Sequence, residues 1–297
     1  MGAVAHTHDD VDWAERLPAL RRADELDAEA LAEAAARLTG GLPAGATVVD
    51  VGSGAGGMSA ALATVLSKQA GGRLVLVDAV PELLAAATET ATAAVSGVSD
   101  GQAVRIETVH ADAAAEDLPE HVPPADLVWA SGLVHHLPDQ QAAVATLTGM
   151  LRRAGILALG EGGLDTRCLP WDLGVGEPGL EQRLLAGRAR WFLDMRTAMP
   201  GSVRMPYGWS EALNRAGLID VGSFSTLIDH PAPASAALRA YVVGQIEWLA
   251  DTAADHLGED DRNVVRRLLD PDAAEFLGNR DDLYLLTSHT IHYGRKP

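Results

Sequence analysis

A glycine-rich turn with an acidic residue just before it is the most chemically informative segment of this chain. Residues 48–51 form an apolar strand that includes Asp50, and Gly52, Gly54 and Gly57 follow in a Gly-x-Gly-x-x-Gly pattern. Glycine allows a sharp turn and a close approach of backbone to ligand. The helix predicted after the turn directs its free N–H groups and positive dipole end toward that ligand. The segment predicts a nucleotide-type cofactor site.

Acidic side chains also end the next two predicted strands. Asp78 ends the strand at 73–77, where a carboxylate suits ribose hydroxyls, and Asp112, followed by Ala113, ends the third strand and suits an adenine edge. The glycine pattern and Asp78 are compatible with either a dinucleotide or an adenosyl ligand. The positions of Asp50 and Asp112 favour the adenosyl ligand. For Asp50, the structural alternative is an acid that only stabilises the turn.

Two histidines are the candidates for acid–base chemistry, and a nearby glutamate is a candidate substrate contact. His135 and His136 follow the fourth predicted strand at 126–130, and Glu161 follows the fifth at 156–159. Histidine titrates near neutral pH, so either ring could take a proton from an acceptor; the alternative is that they orient loops. Glu161 could bind an acceptor amine, or it could cap a helix.

Aromatic residues in and beside segment 163–208 could line an acceptor pocket. The candidate substrate contacts are Trp171, Tyr207 and Trp209. Core packing is the alternative for each of them.

Strands alternate with helices from residue 47 to residue 159, which predicts a doubly wound α/β sheet covered on both faces. The pattern places two helices at 9–22 and 24–38, a helix at 138–152 and a short fifth strand at 156–159. The predicted organisation is N-terminal helices at 1–45, a Rossmann-like cofactor core at 46–162, an insertion at 163–208, a core helix and strand at 209–230, a helical insertion at 231–282, and a last core strand at 283–297. We expect the insertions to form a helical cap over the strand ends, although they could instead thicken the domain or form a homodimer face.

Charge and cysteine content exclude several function classes. With 23 basic and 41 acidic residues, the net charge of −18 argues against nucleic-acid and anionic membrane partners. The single cysteine, Cys168, rules out a disulfide framework and fits a cytoplasmic protein, and we identify neither a signal peptide nor a membrane-spanning run. No metal site is expected: His6, His8 and Asp9 have a suitable spacing, but a chain terminus is a poor place for one.

Taken together, these motifs resemble the class I S-adenosylmethionine-dependent methyltransferases. The first motif of that family is an acid followed by x-Gly-x-Gly-x-Gly, which Asp50, Gly52, Gly54 and Gly56 match in full. Segment 126–139, DLVWASGLVHHLPD, looks like the stretch common in the small-molecule branch of the family.

The resemblance implies a fold, a cofactor and its contacts. It implies a seventh, antiparallel strand inserted beside the fifth, at 283–293, and S-adenosyl-L-methionine as the cofactor, leaving S-adenosyl-L-homocysteine as the product. The implied cofactor contacts are Asp50, Gly52, Ser53, Gly54, Gly56, Asp78, Ala79, Asp112, Ala113 and Ser131.

The predicted function is methyl transfer to an oxygen or nitrogen of a small-molecule acceptor such as a specialised metabolite. A nicotinamide-dependent oxidoreductase would use the same glycines and Asp78 but would leave Asp112 and the histidine segment without a role. A relative that binds the cofactor without transferring its methyl group is the third alternative.

Overall fold

The computed structural model describes residues 13–297, and its helices and strands alternate through the first half of the chain. The helices are α1 (Trp13–Thr39), α2 (Gly57–Lys68), α3 (Pro81–Ser96), α4 (Leu118–His121), α5 (Gln140–Gly149), α6 (Leu180–Ala198), α7 (Trp209–Arg215), α8 (Ala236–Thr252) and α9 (Glu259–Leu269). The strands are β1 (Thr47–Val51), β2 (Gly72–Asp78), β3 (Val104–His110), β4 (Ala125–Ser131), β5 (Leu151–Arg167), β6 (Ile219–His230) and β7 (Leu285–Arg295).

The strands form one seven-stranded sheet in the order β3-β2-β1-β4-β5-β7-β6. Strands β1 to β5 pair in parallel, and β7 runs antiparallel beside β5. The predicted sheet with its inserted antiparallel strand is therefore confirmed. Strand order reverses between β1 and β4, and the crevice at such a reversal, beyond the carboxyl ends of the strands, is where open α/β sheets bind ligands.

Alternate residues of the central strands enter two separate cores. Val48 of β1 and Leu127 of β4 pack with the layer of α1, α2 and α3. Their neighbours Val49 and Val128 pack on the other face with α4, α5 and α7. Because both faces are covered, β1 is buried along its whole length, as expected for a central parallel strand. The crevice is therefore built on a rigid support.

The N-terminal region differs from the prediction of two helices. Helix α1 is continuous over 27 residues from Trp13 to Thr39, whereas two helices separated at residue 23 were predicted. Asp24 resembled the start of a second helix, but its carboxylate accepts the backbone N–H of Gly57 instead. Because the Asp24 side chain caps α2 rather than starting a helix of its own, α1 continues through this position.

Strand β5 is much longer than the predicted 156–159. It begins at Leu151, and helix α5 ends at Gly149 rather than at residue 152. The physical reason is pairing on both sides. Leu151 pairs with Ala125 of β4, and the N–H of Ala154 donates to the carbonyl of Lys296, the residue after β7, whose N–H donates to the carbonyl of Gly155. These bonds keep polar residues in a strand that the hydropathy pattern did not reveal.

The chain divides into two compact units. The first unit consists of the described residues up to Gly163, together with Pro200–Thr226 and His289–Pro297. The second consists of Leu164–Met199 and Leu227–Ser288. Within the second unit, the predicted apolar stripe on α8 is buried: Leu238, Val242, Ile246 and Leu249. The role of this unit as a cap remains a prediction. Among the helices between residues 13 and 297, none has the length and apolarity needed to cross a bilayer.

Candidate functional site

The glycine turn between β1 and α2 is pinned to the end of β2. The backbone N–H groups of Gly52 and Ser53 both donate to the carbonyl of Val77, at 2.8 and 3.2 Å. Gly52, Gly54 and Gly56 have φ angles of 74°, 54° and 95°, in the left-handed region that favours glycine. The turn is therefore held directly beside Asp78, the next residue of β2.

Two features of the turn fit a ligand at this position. A Cβ added to Gly54 would meet no atom within 4 Å, whereas one added to Gly56 would lie 2.7 Å from the Cα of Ala87 in α3. Gly56 thus serves helix packing, and Gly54 leaves open space. The buried hydroxyl of Ser53 has no hydrogen-bond partner among the described residues, which is unusual for a buried polar group.

The Asp78 carboxylate fixes the turn from the other side. Its Oδ2 accepts the N–H of Gly54 and its Oδ1 the N–H of Val80, both at 3.0 Å. Burial raises the pKa of Asp78, while these backbone hydrogen bonds oppose the rise. The carboxylate lines a cavity and keeps lone pairs for further donors.

Asp50 lies behind the turn. It is 2% exposed, and its Oδ2 accepts the hydroxyl of Ser59 from α2 at 2.5 Å. Burial raises the pKa of Asp50 to about 7. The hydrogen bond from Ser59 lowers this pKa, and the nearby carboxylates of Asp78 and Asp24 raise it further. Asp50 is not a cavity-lining residue, so its direct contact with a cofactor stays a prediction.

Asp24 is a site residue that the sequence reasoning missed. From α1 it reaches the first residue of α2 and accepts the Gly57 N–H at 2.8 Å. Burial raises its pKa to about 6, and that hydrogen bond opposes the rise. No local motif could have revealed it, because the contact joins residues 33 positions apart. Asp24, Asp50 and Asp78 together form what we call the acidic cluster.

A cavity of about 300 Å³ opens over the ends of β1, β2, β3 and β4. Trp13 and Leu20 of α1 form part of its wall, and neither was predicted. The predicted residues that line it are Gly52, Gly54, Asp78, Ala79, Asp112, Ala113, Ser131 and His136. Residues at the ends of β1, β2, β3 and β4 therefore line one cavity, and their contact with a cofactor stays a prediction.

Asp112 and Ser131 each form a hydrogen bond with the backbone beside the cavity. Asp112 Oδ1 accepts the N–H of Ala114 at 2.7 Å, and the Ser131 hydroxyl donates to the carbonyl of Gly160 at 3.1 Å. Asp112 lines the cavity from the loop after β3, and Ser131 lines it from the end of β4.

The histidine pair lies in a short 3₁₀ turn after β4. His136 lines the cavity, and its ring centroid is 3.9 Å from that of His135. His135 Nδ1 is 2.6 Å from Oε2 of Glu161. The other oxygen of Glu161 accepts the N–H groups of Leu133 and Val134 at 3.2 and 2.7 Å. Glu161 thus has partners within the chain, and its predicted contact with an acceptor amine stays a prediction.

The predicted aromatic contacts are not among the cavity-lining residues. Tyr207 donates its hydroxyl to Gln141 at 3.0 Å, lies 3.9 Å below the guanidinium of Arg215 and, like Trp209, packs on the core. Trp171 belongs to the second unit and is 64% exposed. Their contact with a substrate stays a prediction.

Among residues 13–297, we find no cluster of histidine, cysteine or acidic side chains arranged to hold a metal ion. His6, His8 and Asp9 lie outside the described residues. Cys168 is buried, and burial raises the pKa of its thiol well above the ordinary value. It is therefore a poor nucleophile.

Comparison with known proteins supplies the family. Residues 49–159 match the family described as a methyltransferase domain. No curated protein matches the chain.

Solved structures are similar to this chain at low sequence identity. The YcgJ protein of Bacillus subtilis is 18% identical, with 91% of this chain and 99% of that chain covered and a TM-score of 0.47. A protein of Bacillus halodurans is 16% identical, with 89% and 99% covered and a TM-score of 0.47. A SAM-dependent methyltransferase of Thiobacillus denitrificans, in complex with S-adenosyl-L-homocysteine, is 18% identical, with 89% and 90% covered and a TM-score of 0.44. The segment at residues 49–159 is therefore a methyltransferase domain, of the class I S-adenosylmethionine-dependent type that the motifs resemble.

Proposed function

We propose that this protein transfers a methyl group from S-adenosylmethionine to an oxygen or nitrogen atom of a small molecule, and that the acceptor is a specialised metabolite. The observation that carries the proposal is the acidic cluster around an open glycine turn. Asp24 and Asp78 both raise the pKa of Asp50 electrostatically, so the turn concentrates negative charge. A ligand that carries a sulfonium and an ammonium group offsets that charge.

The same charge disfavours the dinucleotide alternative. A dinucleotide places its pyrophosphate at the glycine turn and the helix N-terminus. Here Asp24 already accepts the Gly57 N–H at that N-terminus, and Asp50 and Asp78 lie close by. We therefore expect a pyrophosphate to be repelled.

The chain offers a partner for each part of the cofactor. Asp78 is suited to the ribose hydroxyls, Asp112 with the adjacent Ala113 to the adenine edge, and the turn at Gly54, with the Ser53 hydroxyl, to the methionine half. When bound, the cofactor supplies an electrophilic methyl group, and S-adenosylhomocysteine is the product. The chain must hold the acceptor at near-attack distance and orientation.

Binding and transfer can be tested separately. Calorimetric titration with S-adenosylmethionine, S-adenosylhomocysteine and NAD should give heat with the first two only. Labelled methyl groups from S-adenosylmethionine should then appear in members of a small-molecule acceptor panel. Binding of NAD alone would support the oxidoreductase. Tight cofactor binding with no transfer to any acceptor would support a binding protein.

Asp78→Ala should weaken S-adenosylmethionine binding by about 1–3 kcal/mol, roughly 5- to 150-fold, because it removes a charged hydrogen-bonding group from the cavity wall. Titration calorimetry at neutral pH measures this change. The matched control is Asp270→Ala, because Asp270 also accepts the N–H of the residue two positions on but is exposed. Equal affinity in both variants would place the ribose elsewhere.

A further inference from the structure

The three carboxylates of the acidic cluster have no cationic partner within the described chain. Asp24, Asp50 and Asp78 accept hydrogen bonds from backbone N–H groups and from the Ser59 hydroxyl. Among residues 13–297, no arginine, lysine or histidine lies within ion-pair distance of any of the three. Burying a carboxylate without a cation is costly, so the cluster favours a ligand that carries a positive charge.

Asp24 reaches the glycine turn from another helix. The N-cap residue of α2 is Gly56, which has no side chain to cap the helix, and Asp24 accepts the Gly57 N–H in its place. A Cβ on Gly57 would overlap with the Asp24 carboxylate. The third glycine of the Gly-x-Gly-x-x-Gly pattern therefore makes room for an anion of the chain itself, at the positive end of the α2 dipole.

Asp24 and Asp50 do not line the cavity over the strand ends, whereas Gly54 and Asp78 do. Asp24 lies with Gly57 along a separate groove between α1 and α2, and Asp50 is buried beneath the turn. Both carboxylates therefore act on a ligand in the cavity through their charge and not through contact.

A buried hydroxyl in the same turn independently supports a ligand at this place. Ser53 is 7% exposed, and its Oγ has no hydrogen-bond partner among the described residues. Because buried polar groups are almost always hydrogen-bonded, a ligand group at the turn would supply the missing partner.

Substrate and product of the proposed reaction differ by one methyl group and one positive charge. S-adenosylmethionine carries a sulfonium, and S-adenosylhomocysteine carries a neutral thioether, whereas their adenine, ribose and amino-acid groups are identical. A hydrogen bond to a shared group stabilises both ligands. A negative charge that acts through a buried environment favours the sulfonium alone.

We propose that Asp24 and Asp50 are specificity-determining residues that favour binding of the sulfonium substrate and release of the thioether product. This inference rests on the proposed function and describes how the same site distinguishes its substrate from its product. On transfer, an acceptor lone pair bonds the methyl carbon, the S–CH₃ electron pair stays on sulfur, and the acceptor proton goes to water. The two carboxylates then face a ligand that has lost its sulfonium charge.

The discrimination should depend on pH. Burial raises the pKa of Asp50 to about 7 and that of Asp24 to about 6, and a bound sulfonium lowers both pKa values. S-adenosylmethionine binding near pH 7 should therefore release protons. The preference over S-adenosylhomocysteine should be largest at pH 8 and should shrink as the pH falls below about 6, because the protonated carboxyls carry no charge.

Other ionisable groups surround these two carboxylates. His289 of β7 and His110 of β3 lower the pKa of Asp24 and of Asp78, respectively. A histidine gains positive charge as the pH falls, which would weaken S-adenosylmethionine binding over a similar range. The other charged groups nearby are Arg21, Glu25 and Asp27 of α1, Lys68 of α2, Glu89 of α3 and Asp78 of β2.

The decisive variant is Asp24→Asn, which removes the charge while its side-chain oxygen can still accept the Gly57 N–H. Calorimetry at pH 8 gives the dissociation constants of S-adenosylmethionine and S-adenosylhomocysteine. We expect the wild type to bind S-adenosylmethionine more tightly, and this preference to fall about 5- to 30-fold in Asp24→Asn. A merely structural effect would change both constants and leave their ratio unaltered.

Asp126→Asn is the matched control, because Asp126 is also buried and accepts a backbone N–H, that of Thr47, at 2.8 Å. The two residues lie at the starts of β4 and β1, away from the cavity, so the ratio should stay within about twofold of the wild type.

Proton release is measured by calorimetry at pH 7 in phosphate and Tris buffers, whose ionisation enthalpies differ. S-adenosylmethionine should release more protons than S-adenosylhomocysteine, and this difference should be smaller in Asp24→Asn. The histidines are present in both proteins, so their contribution cancels in that comparison.

Asp50→Asn provides a second variant should Asp24→Asn fold poorly, since asparagine can still accept from Ser59. A wild type that binds S-adenosylhomocysteine as tightly as S-adenosylmethionine at pH 8, or a ratio unchanged in both variants, would overturn the inference. Cofactor binding without transfer to any acceptor would overturn the proposed function and leave the charge discrimination standing. A wild type that binds neither ligand would overturn both.

Discussion

Gly54→Val should leave the protein folded and reduce S-adenosylmethionine binding by more than 100-fold. The glycine lines the cavity, and a Cβ there meets no protein atom within 4 Å, so the new side chain would occupy space left for the ligand. A branched residue at φ 54° also costs about 1–2 kcal/mol of backbone strain, which a folded domain can absorb.

Gly45→Val separates these two effects. Gly45 has a φ of 68° and equally open surroundings, but it lies in the connection between α1 and β1, away from the cavity-lining residues. Both variants should lose similar thermal stability, and only Gly54→Val should lose cofactor binding in calorimetry. Similar affinity in the two variants would show that the cofactor does not approach this turn.

Asp50→Asn should stabilise the ligand-free protein at pH 8. In the folded state the pKa of Asp50 rises from 3.8 to about 7 because of burial, so the folded protein binds a proton more tightly than the unfolded chain. Stability then falls as pH rises from about 4 to 7, and the ionised group costs on the order of 2–4 kcal/mol at pH 8. Asparagine removes that cost and can still accept from Ser59.

The measurement is the thermal midpoint of both proteins between pH 4 and pH 8. The gain in Asp50→Asn should reach roughly 5–10 °C at pH 8 and shrink toward pH 4. Asp126→Asn is the control of opposite sign, because Asp126 accepts the Thr47 N–H and pairs with Arg152 at 3.2 Å, so its neutralisation should destabilise the fold. Destabilisation by Asp50→Asn at pH 8 would contradict a buried, costly charge.

The same substitution should weaken the cofactor's own stabilising effect. A cationic ligand is favoured by the acidic cluster, and Asp50 contributes one of its charges at pH 8. The thermal shift caused by saturating S-adenosylmethionine should therefore be smaller in Asp50→Asn than in the wild type.

The cavity was predictable from the sequence to the extent that its residues follow strand ends. Gly54, Asp78 and Asp112 each lie within three residues of the end of a predicted strand, and the carboxyl ends of strands in a parallel sheet meet at one edge. The same reasoning put Glu161 and His135 at this edge. It gave their position but not their pairing, because a side-chain bond across 26 residues depends on strand register and loop geometry.

What could not be predicted comes from packing between distant segments. Asp24 and Trp13 lie in α1, whose hydropathy pattern gives no sign of a functional site. Asp24 caps α2 and Trp13 lines the cavity only because α1 packs against these parts of the fold. The length of β5 could not be predicted for a similar reason. Arg152 and Arg153 are exposed, and this part of the chain joins the strand through pairing of Leu151 with β4 and through hydrogen bonds with Lys296, the residue after β7.

The docking of α1 has a consequence for how this site can be transplanted. The segment that matches the methyltransferase domain begins at residue 49, yet one cavity wall and the carboxylate on the α2 N-terminus come from residues 13–24. A protein truncated at residue 49 would keep every residue of the glycine motif but would lack the cavity wall that α1 provides. Anyone grafting this activity onto another scaffold should carry the first helix along with the sheet.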